Sequence, residues 1–111
     1  MTNFRSFDEV QNALSSATTN CVEITRSYLN AITENQHLNA FVEVYTVEAL
    51  RQALVVDEKL KKGTAGKLAG MVIGIKDNLC YQNHKVSAAS KILDGFESLF
   101  SATVIDRLLA E

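Results

Sequence analysis

Apolar residues in the first third of the chain recur at intervals of three and four. Phe7, Val10, Ala13, Leu14 and Ala17 form the first set, a spacing that lays them along one stripe of a helix. Ser6 stands before this set and Glu9 within it. This is the arrangement of a capping box, in which the hydroxyl accepts from the N3 amide while the acid reaches back. A helix is therefore expected to begin at Phe7 and to fade at Thr18-Thr19-Asn20. Asn20 and Glu23 repeat the start signal, and Ile24, Tyr28 and Ile32 follow at every fourth position. They predict a second helix that runs to about Glu34 and stops before the polar Asn35-Gln36-His37. The pattern changes at Phe41-Val42-Glu43-Val44-Tyr45, a β-branched and aromatic run that predicts a short strand or extended segment. Thr46 is expected to cap a third helix, with Leu50, Ala53, Leu54 and Leu60 on its apolar stripe and Gly63 closing it.

The longest apolar run follows. Leu68 to Asn78 reads LAGMVIGIKDN. With the alternation of a strand, Met71, Ile73 and Ile75 face one way and Val72, Gly74 and Lys76 the other, so both faces are apolar until Lys76. Such a strand is expected to be covered from both sides, as in α/β sheets. Lys76 would then sit at the carboxyl end of a buried strand, where open α/β sheets place ligands and chemistry. Gly74 would leave space beside its stem. A lysine drawn out of water there would lose charge stabilisation and move toward the range of a general base. The alternative is a lysine that ends the strand by reaching into solvent and blunts the sheet edge.

Beyond Asn78 the chain turns polar through Tyr81-Gln82-Asn83-His84-Lys85 and then small at Ser87-Ala88-Ala89-Ser90. Small residues allow the backbone to approach a ligand closely, and equally allow a loop to pack tightly. After a turn at Asp94-Gly95, Ser101 is expected to cap a last helix carrying Val104, Ile105, Leu108 and Leu109, with no stop signal before Glu111. No repeat, low-complexity segment or linker divides the pattern. Residues 1–111 are expected to form one unit with no internal boundary, an α/β or α+β domain.

Composition narrows the function classes. With 111 residues, 47% hydrophobic and 22% charged, the chain reads as one soluble domain with a single core. No apolar run approaches the roughly 20 residues that span a bilayer. The start, MTNFRSFDEV, lacks the features of a signal peptide, so the expected location is the cytoplasm. A net charge of -2 argues against a broad phosphate-binding footprint. The basic cluster Lys59, Lys61, Lys62 and Lys67 falls at the expected end of the third helix, where cations complement the dipole and water solvates them. Cys21 and Cys80 are isolated, as are His37 and His84, which suits reduced thiols and leaves no metal-ligand spacing. Neither GxxxxGK[ST] nor GxGxxG occurs among the glycines, so no phosphate loop is expected. Asp77, Cys80 and His84 supply the types of a nucleophile, base and orienter, but triads are gathered from separate parts of a fold. Nothing in the sequence sets the His84 imidazole against the Cys80 thiol.

LAGMVIGIKDN closely resembles the lysine motif of the amidase signature family, a hydrophobic run ending in Lys-Asp-Asn. Leu38-Asn39-Ala40-Phe41, Ser87-Ala88-Ala89-Ser90-Lys91-Ile92-Leu93 and Ala102-Thr103-Val104-Ile105 extend the resemblance over nearly the whole chain. They narrow it to the branch that serves as the A subunit of tRNA-dependent amidotransferases. The resemblance implies an α/β amidase signature fold, of which this chain is the amino-terminal part: amphipathic helices followed by the first strands of a mixed sheet. It implies a glutamine amidohydrolase with a Ser-cisSer-Lys triad, in which Lys76 acts through a bridging serine on a nucleophilic serine. It further implies that ammonia passes to a B subunit, which activates mischarged Glu-tRNA(Gln) or Asp-tRNA(Asn) with ATP and magnesium, while a C subunit holds the assembly. Contact with tRNA is then mainly through the B subunit, and no cofactor or membrane contact is implied for this chain. The alternatives are an amidase signature hydrolase of another small amide, and a non-catalytic interaction module in which Lys76 is a surface residue.

Two departures bear on these expectations. Lys67 and Val72 stand where the family commonly has prolines, a change in backbone stiffness that leaves the lysine in place. The family's Gly/Ser-rich segment, which supplies both serines, does not occur in the 111 residues. The chain is therefore expected to be an amino-terminal fragment, inactive alone, of a protein about four times longer. Ser87 and Ser90 lack the glycine-rich setting of an oxyanion hole and are excluded as nucleophiles. Asp77 and Asn78 are expected to position the lysine through hydrogen bonds and a turn.

Overall fold

The protein is described here by a computed structural model covering residues 4–111; Met1-Thr2-Asn3, part of the segment compared with a signal peptide, lie outside the described residues. The chain divides into two compact units, one reaching to Val72 and the other Ile73–Glu111.

The first unit is built on three helices, α1 (Phe7–Ser15), α2 (Cys21–Glu34) and α3 (Thr46–Lys62). The Ser6 hydroxyl accepts from the Glu9 amide at 3.3 Å, as the capping signal predicts. Glu9 reaches back one residue further than a capping box requires, its carboxylate accepting from the Arg5 amide at 2.7 Å. Helix α1 ends where Ala17 turns left-handed, at φ 54. Helix α2 starts as expected, with the Asn20 side chain accepting from the Glu23 amide at 2.8 Å. It also has a second cap that no local pattern signals. The Asp57 carboxylate, from α3, accepts from the Cys21 amide at 2.7 Å and the Val22 amide at 3.3 Å. Helices α2 and α3 pack together, and Val10, Cys21, Ile24, Thr25, Ala53 and Ala69 are buried among the described residues of this unit.

Gly63 closes α3 in the left-handed region at φ 69. The Thr64 amide donates to the Lys59 carbonyl at 2.9 Å and the Gly63 amide to the Leu60 carbonyl at 3.2 Å, the two bonds of a Schellman motif. Lys59, Lys61 and Lys62 lie exposed in that last turn. The start of α3 differs from expectation. Thr46 is its first helical residue, Tyr45 holds the cap position, and no side chain caps the helix.

The opening of LAGMVIGIKDN is a turn seated on the helices. The Ala69 amide donates to the Gly66 carbonyl at 3.3 Å and the Met71 amide to the Leu68 carbonyl at 3.0 Å. Gly70 has φ +88, and a Cβ there would meet Leu14 Cδ1 at 2.5 Å and Cys21 Sγ at 3.5 Å. Both the left-handed backbone and the close approach require glycine.

The second unit is mostly irregular. Residues 83–86 and 96–98 run antiparallel and form a single bridge, Lys85 to Glu97. The Asn83 amide donates to the Ser98 carbonyl at 2.8 Å, the Ser98 amide to the His84 carbonyl at 3.0 Å, and the Val86 amide to the Phe96 carbonyl at 3.2 Å. A 3-10 turn, Lys91–Leu93, and helix α4 (Thr103–Ala110) follow. Val86, Ser98 and Ile105 are the buried residues here. Ser101 does not cap α4. Ala102 occupies that position without a side-chain bond, while the Ser101 hydroxyl accepts from the Gln82 amide at 3.0 Å.

Among the described residues there are four α-helices and no strand, so the helices of the expected α/β arrangement are present and its sheet is not. Phe41–Tyr45 forms no strand, and Val42 is 84% exposed. Residues 71–76 are irregular as well, and Met71, Val72, Ile73 and Ile75 are each exposed rather than covered on both sides. The physical reason is common to both segments. A strand exists through its ladder with a neighbour, and no neighbouring strand accompanies either run among the described residues.

Candidate active site

Lys76 is exposed, so of the two readings it is the lysine that reaches into solvent, although no strand precedes it among the described residues. No ladder shields residues 71–76, so nothing removes the side chain from solvent. The Gly74 position is equally open, and a Cβ there would meet nothing within 4 Å.

The backbone that carries Lys76 is nevertheless closely held. Its carbonyl accepts from the Leu79 amide at 3.0 Å, closing a turn over 76–79. The next residue, Asp77, is bound through main chain and side chain to the small-residue loop ten positions on. The Asp77 carbonyl accepts from the Ala88 amide at 2.8 Å. Its carboxylate accepts from the Ser87 amide at 3.1 Å and from the Ser87 hydroxyl at 2.5 Å. The Ser87 hydroxyl first, and the Ser87 amide after it, hold the Asp77 carboxyl below its ordinary 3.8 against the opposing effect of desolvation, with lesser help from the Lys76 charge and the Ala89 amide.

These bonds meet a strained turn. Ala88 and Ala89 both lie in the left-handed region, at φ 48 and 57, a conformation that costs a residue with a Cβ about 1–2 kcal/mol. The Ser90 amide donates to the Ser87 carbonyl at 2.8 Å and closes the turn. Of the two readings of Ser87-Ala88-Ala89-Ser90, tight loop packing describes what is seen, with Asp77 as the packing partner. The Ser87 hydroxyl is a donor to a carboxylate, which leaves its proton engaged. Sequence patterning missed this pairing because a Ser-Ala-Ala-Ser stretch carries no periodicity and Asp77 carries no mark of a distant partner.

Asp77, Cys80 and His84 are not arranged as a relay. The Asp77 carboxylate is held by Ser87, while the His84 ring stacks on Tyr81 with centroids 3.7 Å apart and its Nδ1 lies 2.7 Å from the Gln82 carbonyl. Cys21 is buried, and burial first, then the hydrogen bond and charge of Asp57, push its thiol up to about 12. A thiol so held stays protonated and unreactive. His37 is exposed in the 3-10 turn Gln36–Leu38. Among the described residues no cluster of His, Cys, Asp and Glu is placed to hold a metal ion, and no helix is long and apolar enough to cross a membrane.

The profile of the amidase family matches residues 23–111. The chain belongs to the amidase family. It is 42% identical over 107 residues to the A subunit of the glutamyl-tRNA(Gln) amidotransferase of Chlorobium chlorochromatii, a match covering 96% of this chain and 23% of that protein. To the same protein of Chlorobium phaeobacteroides it is 38% identical over 109 residues, covering 97% of this chain and 23% of the relative. To that of Chlorobaculum parvum it is 39% identical over 109 residues, with the same two shares of 97% and 23%. The chain thus spans about 23% of the length of the curated relatives it matches. The amidase match takes in Lys76, Asp77 and the Ser87–Ser90 turn.

Proposed function

We propose that Lys76 is the distal base of a Ser-cisSer-Lys triad in a glutamine amidohydrolase, and that this chain is the amino-terminal part of the A subunit of a tRNA-dependent amidotransferase. The observation that carries the proposal is the family match across residues 23–111, which includes Lys76 within its Gly-Ile-Lys-Asp-Asn motif. A neutral lysine amine takes the proton of a bridging serine, which takes that of the nucleophilic serine. The nucleophile attacks the carboxamide carbon of glutamine. The C–N bond then breaks as the departing nitrogen gains a proton, ammonia leaves, and water cleaves the resulting ester to glutamate. Both serines are assigned to residues outside this chain, because the Ser87 hydroxyl is spent on Asp77 and Ser90 has no glycine-rich oxyanion site beside it. These 111 residues alone are accordingly inactive.

In this proposal the B subunit uses the ammonia to amidate Glu-tRNA(Gln) or Asp-tRNA(Asn) with ATP and magnesium, and the C subunit holds the pair together in the cytoplasm. The exposed apolar residues of 71–75 support a further part of the proposal: the run becomes a strand of an α/β sheet when the rest of one amidase domain, continuous with residues 1–111, lies beside it.

The test is ammonia release from glutamine by the protein at its full natural length, with and without the B and C subunits. Lys76→Ala should lower the rate by about 10³-fold, within the range for loss of a general base. Lys76→Arg should fail as well, since a guanidinium stays protonated. Ammonia release by Lys76→Ala at the parental rate would overturn the assignment. Activity on asparagine or simple amides in place of glutamine would redirect it to another hydrolase of the family.

A further inference from the structure

Lys76 is exposed and free to swing along its stem, yet a general base must meet its partner within hydrogen-bond distance. What restricts it is the backbone from which it springs. The turn over 76–79 fixes the Lys76 carbonyl. One residue on, Asp77 is held at its carbonyl by Ala88 and at its carboxylate by Ser87, and the clamped loop is the left-handed Ala88-Ala89 turn. A strained turn persists only where its surroundings over-determine it, and here the surroundings are the bonds to Asp77. The cluster is also closed as an anion site, since the Ser87 and Ala89 amides point at the Asp77 carboxylate.

From this geometry we infer that Asp77 and Ser87 form a latch that positions Lys76 for proton transfer. The inference rests on the assignment of Lys76 as the triad base. Asp77 and Ser87 are positioning residues: they act through the backbone of Lys76 and touch neither substrate nor the transferred proton. Loss of the latch frees the 76–78 backbone, and a displacement of about 1 Å at a reacting group can cost about 100-fold in rate.

The experiment compares glutamine hydrolysis by Asp77→Ala, Ser87→Ala, Ser87→Thr and Lys76→Ala in the full-length protein with its partner subunits, together with thermal unfolding of each. Asp77→Ala should lower kcat by about 100-fold and Ser87→Ala by about 10-fold, both with KM near the parental value, at a temperature where thermal unfolding shows every variant folded, so that the loss exceeds what any lowered midpoint accounts for. Ser87→Thr keeps the hydroxyl and should restore kcat. A kcat unchanged in Asp77→Ala and Ser87→Ala while Lys76→Ala is inactive would overturn the latch and leave the triad assignment standing. Losses that follow a lowered thermal midpoint and are not restored by Ser87→Thr would also overturn it, in favour of a purely structural pairing. If Asp77→Ala does not fold, the Ser87→Ala and Ser87→Thr pair decides the question. Full activity in Lys76→Ala would instead remove the base on which the latch acts.

Discussion

Asp77 and Cys21 are both acids with hydrogen-bonded neighbours, and their surroundings move them in opposite directions. Asp77 receives donors, which favour its charged form and keep it ionised below its ordinary 3.8. Its contribution to stability is present above that value and is lost as the pH falls through the depressed one. Cys21 is buried beside a carboxylate, which favours the neutral thiol and raises it from 9.0 to about 12. Between these two values the unfolded chain binds fewer protons than the folded one, so stability falls as the pH rises and is untouched below the unfolded value. The slope approaches 1.4 kcal/mol per pH unit, or about 2 kcal/mol by roughly pH 10.5. Denaturant unfolding of the parent chain and of Cys21→Ala across alkaline pH checks this. The expected result is that the substitution removes that part of the alkaline decline. Parallel curves would show that Cys21 does not contribute to it.

At the scale of elements, the double cap of α2 makes the clearest energetic statement. Asn20 supplies one local bond, and Asp57 supplies two from the facing helix. A carboxylate at a helix amino terminus meets both unpaired amides and the positive end of the dipole. Asp57→Ala should therefore cost about 2 kcal/mol, the range for losing hydrogen bonds to a charged group, read as a lower denaturant midpoint at unchanged m. An unchanged midpoint would mean that water replaces Asp57 without loss. The capping signals at Ser6, Asn20 and Gly63 were legible because donor and acceptor are neighbours in sequence. Ser101 misled for the converse reason: its hydroxyl had a competing partner in the Gln82 amide, 19 residues away. The runs at 41–45 and 68–78 carry strand propensity, but a ladder is made with another segment, and propensity does not supply one.

For the whole molecule, the second unit leaves large apolar side chains in water. Ile92, Leu99 and Phe100 are 94%, 81% and 64% exposed, and large apolar surface left in water binds partners or aggregates where it is contiguous. The 111-residue chain is expected to raise the fluorescence of a hydrophobic dye and to scatter light as a species larger than a monomer. A monodisperse, dye-silent monomer would instead favour a self-contained module whose surface needs no partner. Membership of the amidase family and the identity of Lys76 as the candidate base were both legible in LAGMVIGIKDN, since a family motif is a property of residue order. The partner of Asp77 was not, because Asp77 and Ser87 become neighbours only when the intervening loop closes.

The sequence by itself determined where α1 and α2 begin, where α3 stops, and which lysine stands in the family's motif. Each of these depends on residues within a few positions of one another, whose geometry the backbone already constrains. Tertiary structure alone decided that Asp57 caps α2, that Gly70 seats the chain on α1 and α2, and that Ser101 serves Gln82. It also decided that Asp77 holds Ser87 and that Lys76 lies exposed. In each case the deciding atom lies far along the chain or is water, and only the folded path determines which of the two a polar group meets.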